Sequence, residues 1–330
     1  MIAILVVLMS CGPKPVVVHH PLIHGDGDGL WAQLITDTPF RSRIESHGEP
    51  DLIIFYGGEE QGSMGVCGCS SRPRGSLARI ASFIDATETA NPDAEILMVN
   101  GGHWLDDATS LDGTPRLDAP IINQWMIAGL EQLGVDALNV GYNDMAGINS
   151  LSGQTSELPM VSANLIGTGV QRFITVDVNN VSIGITGISS PGVSFINTPG
   201  FTANNPEESG LKTLQDLHSR VDIVVLLAFQ APETAKSLAA TGLVDIVIDT
   251  NSHNAFYPPF RQDNAIWVRS HKHSMRLGEL RLTLDEGAIT SAIDRKIDMD
   301  ADIPQRTDLM RLQESARQEI EIIEQRLFGL

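Results

Sequence analysis

Short apolar runs of strand length alternate with longer amphipathic stretches along the chain from Asp51 onward. Five of these runs end at a polar or glycine-containing turn, which is the pattern of a buried strand. They are residues 52–56, 96–99, 137–140, 223–227 and 245–248. Because a strand that is apolar at every position is buried on both faces, we predict an α/β sandwich with helices outside packed sheets.

Two amphipathic stretches between these runs predict helices. Ser76 precedes the first stretch as an N-cap, and Gly134 ends the second. Their apolar positions recur at helical spacing: Leu77, Ile80, Ala81 and Ile84 in the first, and Ile121, Ile122, Trp125, Leu130 and Leu133 in the second. Residues 173–178 and 181–187 predict a hairpin that turns at Asn179 and Asn180, and residues 265–268 and 275–284 predict further strands.

A terminal helix is predicted over residues 307–327. One face is apolar and the other carries Glu, Arg and Gln, which is the pattern of an amphipathic helix. The apolar positions are Leu309, Leu312, Ala316, Ile320, Ile323 and Leu327. Two interpretations stay open: the helix packs back on the domain, or it binds a partner.

The charge balance argues against one class of function. The chain of 330 residues has 22 Lys and Arg against 41 Asp and Glu, a net charge of −19. Duplex recognition depends on clustered cations that neutralise phosphates, and here the cations are scattered, so we expect no nucleic-acid partner. A hydrophobic content of 42% with 19% charged residues is ordinary for a globular protein of one large domain or two modest ones.

The N-terminus predicts an export signal. Residues 2–9 form an uncharged apolar run, too short to cross a bilayer but of the length of a signal-peptide h-region. The sequence Leu8-Met9-Ser10-Cys11 resembles the bacterial lipobox, in which the cysteine is lipidated. We therefore expect a signal peptide over residues 1–10 and a membrane anchor at Cys11. The implied location is the bacterial cell envelope, on the periplasmic side or surface of the outer membrane; the alternative is a buried N-terminal strand.

Residues 11–50 predict a tether or linker between this anchor and the folded domain. The segment contains several prolines and the run His24-Gly25-Asp26-Gly27-Asp28-Gly29, which is too rich in glycine for a helix. A lipid-anchored domain needs such a spacer.

Polar segments follow the predicted strands at 57–62, 100–104, 141–144, 228–230 and 249–253. In α/β folds, binding and catalytic residues lie where strands end and loops begin. Five polar strand ends in one domain predict a composite site.

The order of these segments resembles the motifs of the calcineurin-like metallophosphoesterase superfamily, in its 5′-nucleotidase-like branch: D-x-H, G-D, G-N-H-D/E, a lone His and G-H-x-H. The framing residues 135–141, 162–165 and 244–248 are also similar. Residues 67–69, C-G-C, followed by residues 74–79, resemble exported relatives that carry C-G-C before G-G-L-A-R. The resemblance runs from about residue 51 to residue 284. It implies an αββα sandwich of two packed mixed sheets over residues 51–300, followed by a C-terminal helix over residues 301–330.

The resemblance also implies positions for metal ligands, and most have changed residue type. In motif order they are Glu59, Gln61, His103, Tyr142, Asn143, Phe229, Asn251 and His253. Tyr142, Phe229 and Asn251 are degenerate ligand positions, and Asn143 occupies the position of the family's catalytic His. Asp144 keeps the acidic ending of the third motif.

These changes bear on the family's two-metal chemistry. Such a hydrolase bridges ions about 4 Å apart with a carboxylate. His103 stands at the bridging position, and a neutral imidazole has one free lone pair, so it serves one ion only. Asn143 cannot donate a proton to a leaving alkoxide as an imidazolium does. We therefore predict that the binuclear mechanism is lost.

The remaining set predicts a site for one divalent ion. Glu59, His103 and His253, with Gln61 as a weak fourth ligand, suit Zn or Fe. Cys67 and Cys69 form a second candidate set that could reach the same rim, and their thiolates would favour Zn or Cu(I). The alternative is that all of these are polar residues of degenerate loops, with the C-G-C segment oxidised, ligated or free.

Two classes of function stay open. In the first, which we favour, the chain is a tethered pseudoenzyme that binds a partner protein or a small phosphorylated ligand through the former active-site cleft. In the second it is an enzyme on a remodelled single-metal site, either a residual phosphoester or nucleotide hydrolase or a Cys/His metal or redox protein.

Overall fold

The fold is described from a computed structural model. It describes residues 22–25, 29–35, 39–44, 49–67, 73–110, 114–151, 157–178, 180–190, 198–250 and 258–328. Within these residues the strands are β1 (Leu22–Gly25), β2 (Leu30–Ile35), β3 (Leu52–Gly57), β4 (Val66–Cys67), β5 (Arg74–Gly75), β6 (Glu95–Asn100), β7 (Ala137–Asn139), β8 (Met160–Val161), β9 (Leu165–Ile166), β10 (Ile174–Val178), β11 (Val181–Ser189), β12 (Thr202–Ala203), β13 (Ile223–Phe229), β14 (Ile246–Thr250), β15 (Phe260–Gln262), β16 (Ala265–Arg269), β17 (Arg276–Asp285) and β18 (Ala288–Asp298).

The helices of the same residues are α1 (Phe40–Ile44), α2 (Leu77–Ala90), α3 (Ala119–Leu133), α4 (Tyr142–Ser150), α5 (Pro206–His218), α6 (Pro232–Ala239) and α7 (Thr307–Phe328). Both predicted central helices are confirmed. The Ser76 side chain accepts a hydrogen bond from the Ala78 N–H at 3.2 Å and caps α2. Gly134 ends α3 with φ 77°, a left-handed conformation that glycine adopts without steric cost.

Two mixed sheets form the centre of the fold. The eight-stranded sheet has the order β1-β2-β18-β17-β3-β6-β7-β8, and the six-stranded sheet has the order β10-β11-β13-β14-β16-β15. Strands β3, β6, β7 and β8 run parallel in the first sheet, as do β11, β13, β14 and β16 in the second. The carboxyl ends of β3, β6 and β7 therefore share one edge of the first sheet, and those of β13 and β14 share one edge of the second.

The sheets face each other across an apolar core and carry helices on their outer faces. Ile54 of β3 and Val99 of β6 belong to one buried cluster with Val225 of β13 and Ile248 of β14. A second cluster packs α2, α3 and α4 on the first sheet, and a third packs α5 and α6 on the second. Each fully buried aliphatic side chain contributes about 1.5–3 kcal/mol relative to exposure. The predicted αββα sandwich is confirmed.

The strands predicted from apolar runs are present, with small differences at their ends. β13 continues to Phe229, two residues beyond the apolar run, because Phe229 pairs with Ser189 on one side and Thr250 on the other. The predicted hairpin is formed by β10 and β11, which pair antiparallel.

Part of the segment predicted as a linker is folded. β2 pairs parallel with β18 in the first sheet. Arg43 of α1 is fully buried and donates hydrogen bonds to the Asp298 carbonyl and to Asp300 Oδ2, both at 2.7 Å. The linker prediction therefore does not hold for residues 30–35 and 39–44, because pairing with a strand about 260 residues later overrides a locally irregular composition. Residues 1–21, with the predicted signal peptide and Cys11, lie outside the described residues.

The terminal helix packs back on the domain, as one of the two interpretations predicted. Leu309 of α7 is buried against Ala78 and Ala81 of α2. Trp125 of α3 donates from Nε1 to Glu319 Oε2 at 2.8 Å. Among the helices in the described ranges, none combines the length and hydropathy that crossing a bilayer requires.

Candidate functional site

The segments that follow β3 and β6 run side by side at the edge of the first sheet. The Glu59 N–H donates to the Gly102 carbonyl at 2.9 Å, and the Gln61 N–H donates to the His103 carbonyl at 3.1 Å. Glu59, Gln61 and His103 have φ of 54°, 53° and 59°, the left-handed region that costs a residue with a Cβ about 1–2 kcal/mol. The structure thus brings together three residues of the predicted ligand set on strained backbone.

Glu60, which sequence reasoning did not select, lies at the centre of this edge. It is 3% exposed and accepts from the Gly58 N–H at 2.9 Å and from Asn100 Nδ2 at 2.8 Å. Burial raises the pKa of Glu60 to about 7, against the lowering effect of these hydrogen bonds. The signal in the sequence is the pair of adjacent glutamates, both of which are buried, and a register one residue later selects Glu60.

His103 sits in a pocket of carboxylates. Its Nε2 lies 3.3 Å from Asp107 Oδ1, and its backbone N–H donates to Asp144 Oδ2 at 2.7 Å. Neither ring nitrogen makes a hydrogen bond of good geometry to a described residue. Burial lowers the pKa of His103, but the carboxylates of Asp107, Asp144 and Glu59 outweigh it, and the pKa is raised.

The Asp144 carboxylate accepts hydrogen bonds from three backbone N–H groups. Its two oxygens accept from the N–H groups of Gly141, His103 and Leu105 at 2.8, 2.7 and 2.9 Å. The carboxylate therefore joins the loop after β6 to the first turn of α4, where negative charge is favoured by the helix dipole. Burial raises the pKa of Asp144 to about 6.

Asn143 joins the site through Asp107 rather than directly. Its Nδ2 donates to Asp107 Oδ1 at 2.6 Å, the same oxygen that lies beside His103. The neighbouring Tyr142 is half-buried, and burial raises the pKa of its hydroxyl to about 12. An amide and a phenol of raised pKa are poor proton donors near neutral pH.

Phe229 fills the space next to His103. The side chain is fully buried at the end of β13, and its ring meets the His103 ring edge-on with centroids 5.8 Å apart. A Cβ added at Gly141 would lie 2.9 Å from the Phe229 ring, and one added at Gly102 would lie 3.2 Å from Phe229 Cβ. The Phe229 side chain itself offers no atom that could ligate an ion, and it packs closely against Gly102 and Gly141.

Thr250 fills the corresponding space at the end of β14. A Cβ added at Gly101 would lie 1.7 Å from Thr250 Oγ1, and one added at Gly58 would lie 2.6 Å from Thr250 Cγ2. The two glycines therefore let the ends of β3 and β6 approach β14. Next to Thr250, Asp249 accepts from Arg269 Nε at 2.9 Å. Burial raises the pKa of Asp249.

The loop after β16 also reaches the site. The His273 N–H donates to the Glu59 carbonyl at 2.9 Å, and burial lowers the pKa of the His273 ring. The H-K-H segment at 271–273 resembles an exposed turn in sequence, but both histidines are half-buried and only Lys272 is exposed.

The residues that the structure describes do not by themselves fit a metal centre. Within them, no three side chains of His, Cys, Asp or Glu are arranged to hold an ion. Asn251, His253 and Cys69 lie outside the described residues, as does the side chain of Cys67, whose backbone belongs to β4. Glu59, Gln61 and His103 are thus neighbours in the fold, and His253, the remaining member of the predicted set, lies outside the described residues.

Comparison with solved structures identifies proteins of the same fold. The sulfate thiohydrolase SoxB of Thermus thermophilus matches with a TM-score of 0.70 at 13% identity and covers 83% of this chain. The 5′-nucleotidase precursor of Thermus thermophilus matches at 0.64 and 17%, also over 83%. The NAD nucleotidase NadN of Haemophilus influenzae matches at 0.67 and 12%, again over 83%.

This chain is shorter than those proteins. It spans 61%, 60% and 61% of the three chains, respectively. No protein-family model matches the sequence, and no curated protein matches it either. At these identities the likeness is one of fold, and it agrees with the architecture predicted from the motifs.

Proposed function

We propose that this chain, which has the metallophosphoesterase-like fold of the 5′-nucleotidases, is a non-hydrolytic binding protein, a pseudoenzyme. One observation carries the proposal: the buried Phe229 ring occupies the space between His103, Gly102 and Gly141. In the family pattern this position belongs to a metal-ligating imidazole.

The hydrogen bonding of the strand ends supports the same proposal. A two-metal hydrolase holds two metal ions about 4 Å apart. It needs ligand atoms on both sides of these ions that are not already occupied by hydrogen bonds. The Glu60 carboxylate is bound by Gly58 and Asn100, and the Asp144 carboxylate is bound by three N–H groups. Both acids are therefore committed to holding the loops together.

Hydrolysis and metal content test the proposal directly. Purified protein is expected to show no hydrolysis of a chromogenic phosphomonoester above the buffer rate when supplied with Mn, Zn or Fe. Metal-stimulated hydrolysis that disappears in His103→Ala, and persists in the exposed-histidine control His218→Ala, would overturn it.

A second candidate function is favoured by His103 itself, whose ring nitrogens are buried and lack well-formed hydrogen bonds to described residues. Glu59, Gln61 and His103, completed by His253, would hold one Zn or Fe ion, or Cu if Cys67 and Cys69 take part. With an ion bound there, the chain would be a metal-dependent phosphoric ester hydrolase of 5′-nucleotidase type or a metal or redox protein. Elemental analysis separates the two candidates, because a single ion lost in both His103→Ala and His253→Ala, but not in His218→Ala, supports the second.

The location and anchor are part of the first proposal. The lipobox-like segment before Cys11 supports a lipid-anchored protein of the bacterial cell envelope, at the periplasmic side or surface of the outer membrane. The ligand is then a partner protein or a small phosphorylated molecule, and the net charge of −19 argues against nucleic acid. Mass spectrometry should find a diacylglyceryl-modified Cys11 at the mature N-terminus, absent from Cys11→Ser; an unprocessed chain with residues 1–10 retained would contradict this.

A further inference from the structure

A large open groove lies beside the candidate site, between α7, α3 and the segment 62–66 that continues from Gln61. Its volume is about 1170 Å³. The apolar side chains that line it are Met64, Val66, Ile122, Trp125, Met310, Ala316 and Ile320. We call this the α7 groove. It adjoins the former active-site edge through Gly62 and Ser63, which also line it.

The apolar stripe of α7 is only partly covered by the domain. Leu309 and Ala316 are buried, whereas Ile320 and Ile323 are half-buried. Two other groove residues, Met310 and Val66, are 44% and 45% exposed. The stripe that the sequence predicts therefore continues along the helix beyond the part that packs on α2 and α3.

The length of the groove suits a helix. Its lining on α7 runs from Met310 to Glu324, which is about 21 Å at the 1.5 Å rise per residue of an α-helix. An amphipathic helix of about four turns matches that length, and laying its apolar face into a groove beside another helix is a recurrent mode of recognition.

The charged residues on the rim of the groove indicate the charge of the helix that it binds. Arg317 donates to Glu314 Oε1 at 2.7 Å and to Glu321 Oε1 at 2.5 Å, so one cation is shared by two carboxylates. Glu324 adds a further carboxylate at the C-terminal end of the groove, while Arg311 is the remaining cation of its lining. The rim is thus acidic toward the C-terminal half of α7, on a chain whose net charge is −19.

We propose that the α7 groove binds a cationic amphipathic helix of a partner protein, with aliphatic residues against Ile320 and Met310 and Lys or Arg facing Glu321 and Glu324. A second copy of this chain fits less well, since two bodies of net charge −19 repel each other. The inference rests on the proposed binding function and names its partner class and surface.

Titration of the full chain with a fluorescent peptide tests the proposal. The probe is a helical peptide of about 18 residues built from Leu and Lys with an apolar stripe, and the control is the same pattern built from Leu and Glu. The Leu/Lys peptide should bind saturably at one site, and the Leu/Glu peptide should not. Equal binding of both peptides, or no saturable binding of either, overturns the proposal.

Charge-matched variants separate the groove from the general acidity of the surface. Met310→Asp, at the N-terminal end of the α7 lining, and Ile320→Asp, on the apolar stripe, should weaken binding about tenfold or more, as expected for apolar anchor positions. Leu117→Asp and Ile166→Asp, at exposed positions outside the groove, add the same charge and should change it less than about twofold. Equal peptide affinity of the groove variants and the control variants overturns the proposal. A concentration-dependent dimer that excludes the peptide also overturns it. Because Met310 is exposed, its variant remains informative if Ile320→Asp fails to fold.

The outcomes remain distinct from those for the proposed function. Metal-dependent hydrolysis together with peptide binding in the groove would reject the pseudoenzyme and keep this inference. A non-hydrolytic protein whose groove variants bind the peptide like wild type would keep the pseudoenzyme proposal and reject this inference.

Discussion

The ring of Phe229 meets the ring of His103 edge-on, with an interplanar angle of 67°. Each residue follows or ends a strand of a different sheet, so this contact joins the two sheets at the candidate site. At this contact the end of β13 presents a fully buried apolar ring to His103.

Shortening Phe229 should therefore destabilise the fold. Phe229→Ala is expected to lower the free energy of unfolding by about 3–5 kcal/mol, since the fully buried ring leaves a cavity. Phe260→Ala is the control, because Phe260 is 36% exposed and loses less contact. Urea denaturation measures both, and equal losses would mean that Phe229 is not an essential part of the packing.

Close packing of Gly101 on Thr250 gives a second prediction. Gly101→Ala should cost about 1–3 kcal/mol, the usual range for overpacking, because the new methyl would overlap Thr250 Oγ1. Thr250→Gly in the same chain should recover part of the loss. Gly65→Ala serves as the control, since a Cβ there meets no atom within 4 Å. Failure of the Thr250 change to relieve the cost, in thermal melts, would contradict the contact.

A buried ion pair lies in β18, next to Tyr56 of β3. Lys296 Nζ is 2.9 Å from Asp294 Oδ2 and contacts the Tyr56 hydroxyl. Burial raises the pKa of Asp294 and lowers that of Lys296. Each charge is tolerated in this place because its partner is present.

Breaking this pair should cost more than removing it. Lys296→Met is expected to destabilise the chain by about 3–5 kcal/mol, and Lys296→Met with Asp294→Leu should recover much of that loss, because no unpaired buried charge remains. Lys236→Met removes the exposed pair with Glu233 and should cost less than about 1 kcal/mol. A double variant less stable than Lys296→Met in denaturant unfolding would refute this account.

Arg43 tests whether residues 30–44 are part of the folded domain. Arg43→Ala should lower the free energy of unfolding by about 2 kcal/mol or more, because two buried hydrogen bonds from a charged group are lost. Arg41→Ala, on the exposed side of the same helix, is expected to stay within about 0.5 kcal/mol of wild type. Similar melting temperatures for the two variants would mean that this segment is a linker and not part of the folded domain.

Asp136 predicts a pH dependence with a defined sign. Burial raises its pKa in the folded state, although Oδ2 accepts the Met98 N–H at 2.7 Å. Ionisation of Asp136 is therefore less favourable in the folded state than in the unfolded state. The resulting loss of folding stability develops as the pH rises from the unfolded pKa of about 3.9 through the higher folded pKa.

Asp136→Asn keeps the acceptor without the charge. The variant should be more stable than wild type at about pH 7, and the difference should shrink as the pH falls toward about 4. Denaturant unfolding across this range measures it. A difference that grows on acidification would mean that the ionised carboxylate is stabilised instead.

Much of the fold could be predicted from the sequence because its signals are local. The apolar run of β3 and the helical spacing of α2 behind Ser76 are set by residues within one element. The segment formed by residues 30–35 and 39–44 could not be predicted in this way. Its place depends on Asp298 and on β18, which lie more than 250 residues away.

The candidate site was predictable in position but not in detail. Polar strand ends located Glu59 and His103 correctly at one edge, because parallel strands end together. Both adjacent glutamates are buried, and which of them accepts from Asn100 depends on the backbone torsions of a single turn, where Glu59 has a left-handed φ of 54° and Glu60 is the acceptor. The spacing of apolar and polar residues in the sequence does not encode these backbone torsions.

By itself, the sequence determined an α/β sandwich with helices outside packed sheets, since the alternation of apolar strands and amphipathic helices follows from residue identity and spacing. Only the tertiary structure decided which side chains fill the strand ends at the candidate site. Phe229 and Thr250 fill the strand ends because glycines on neighbouring strands leave them room, and that complementarity exists only once the two sheets are packed together.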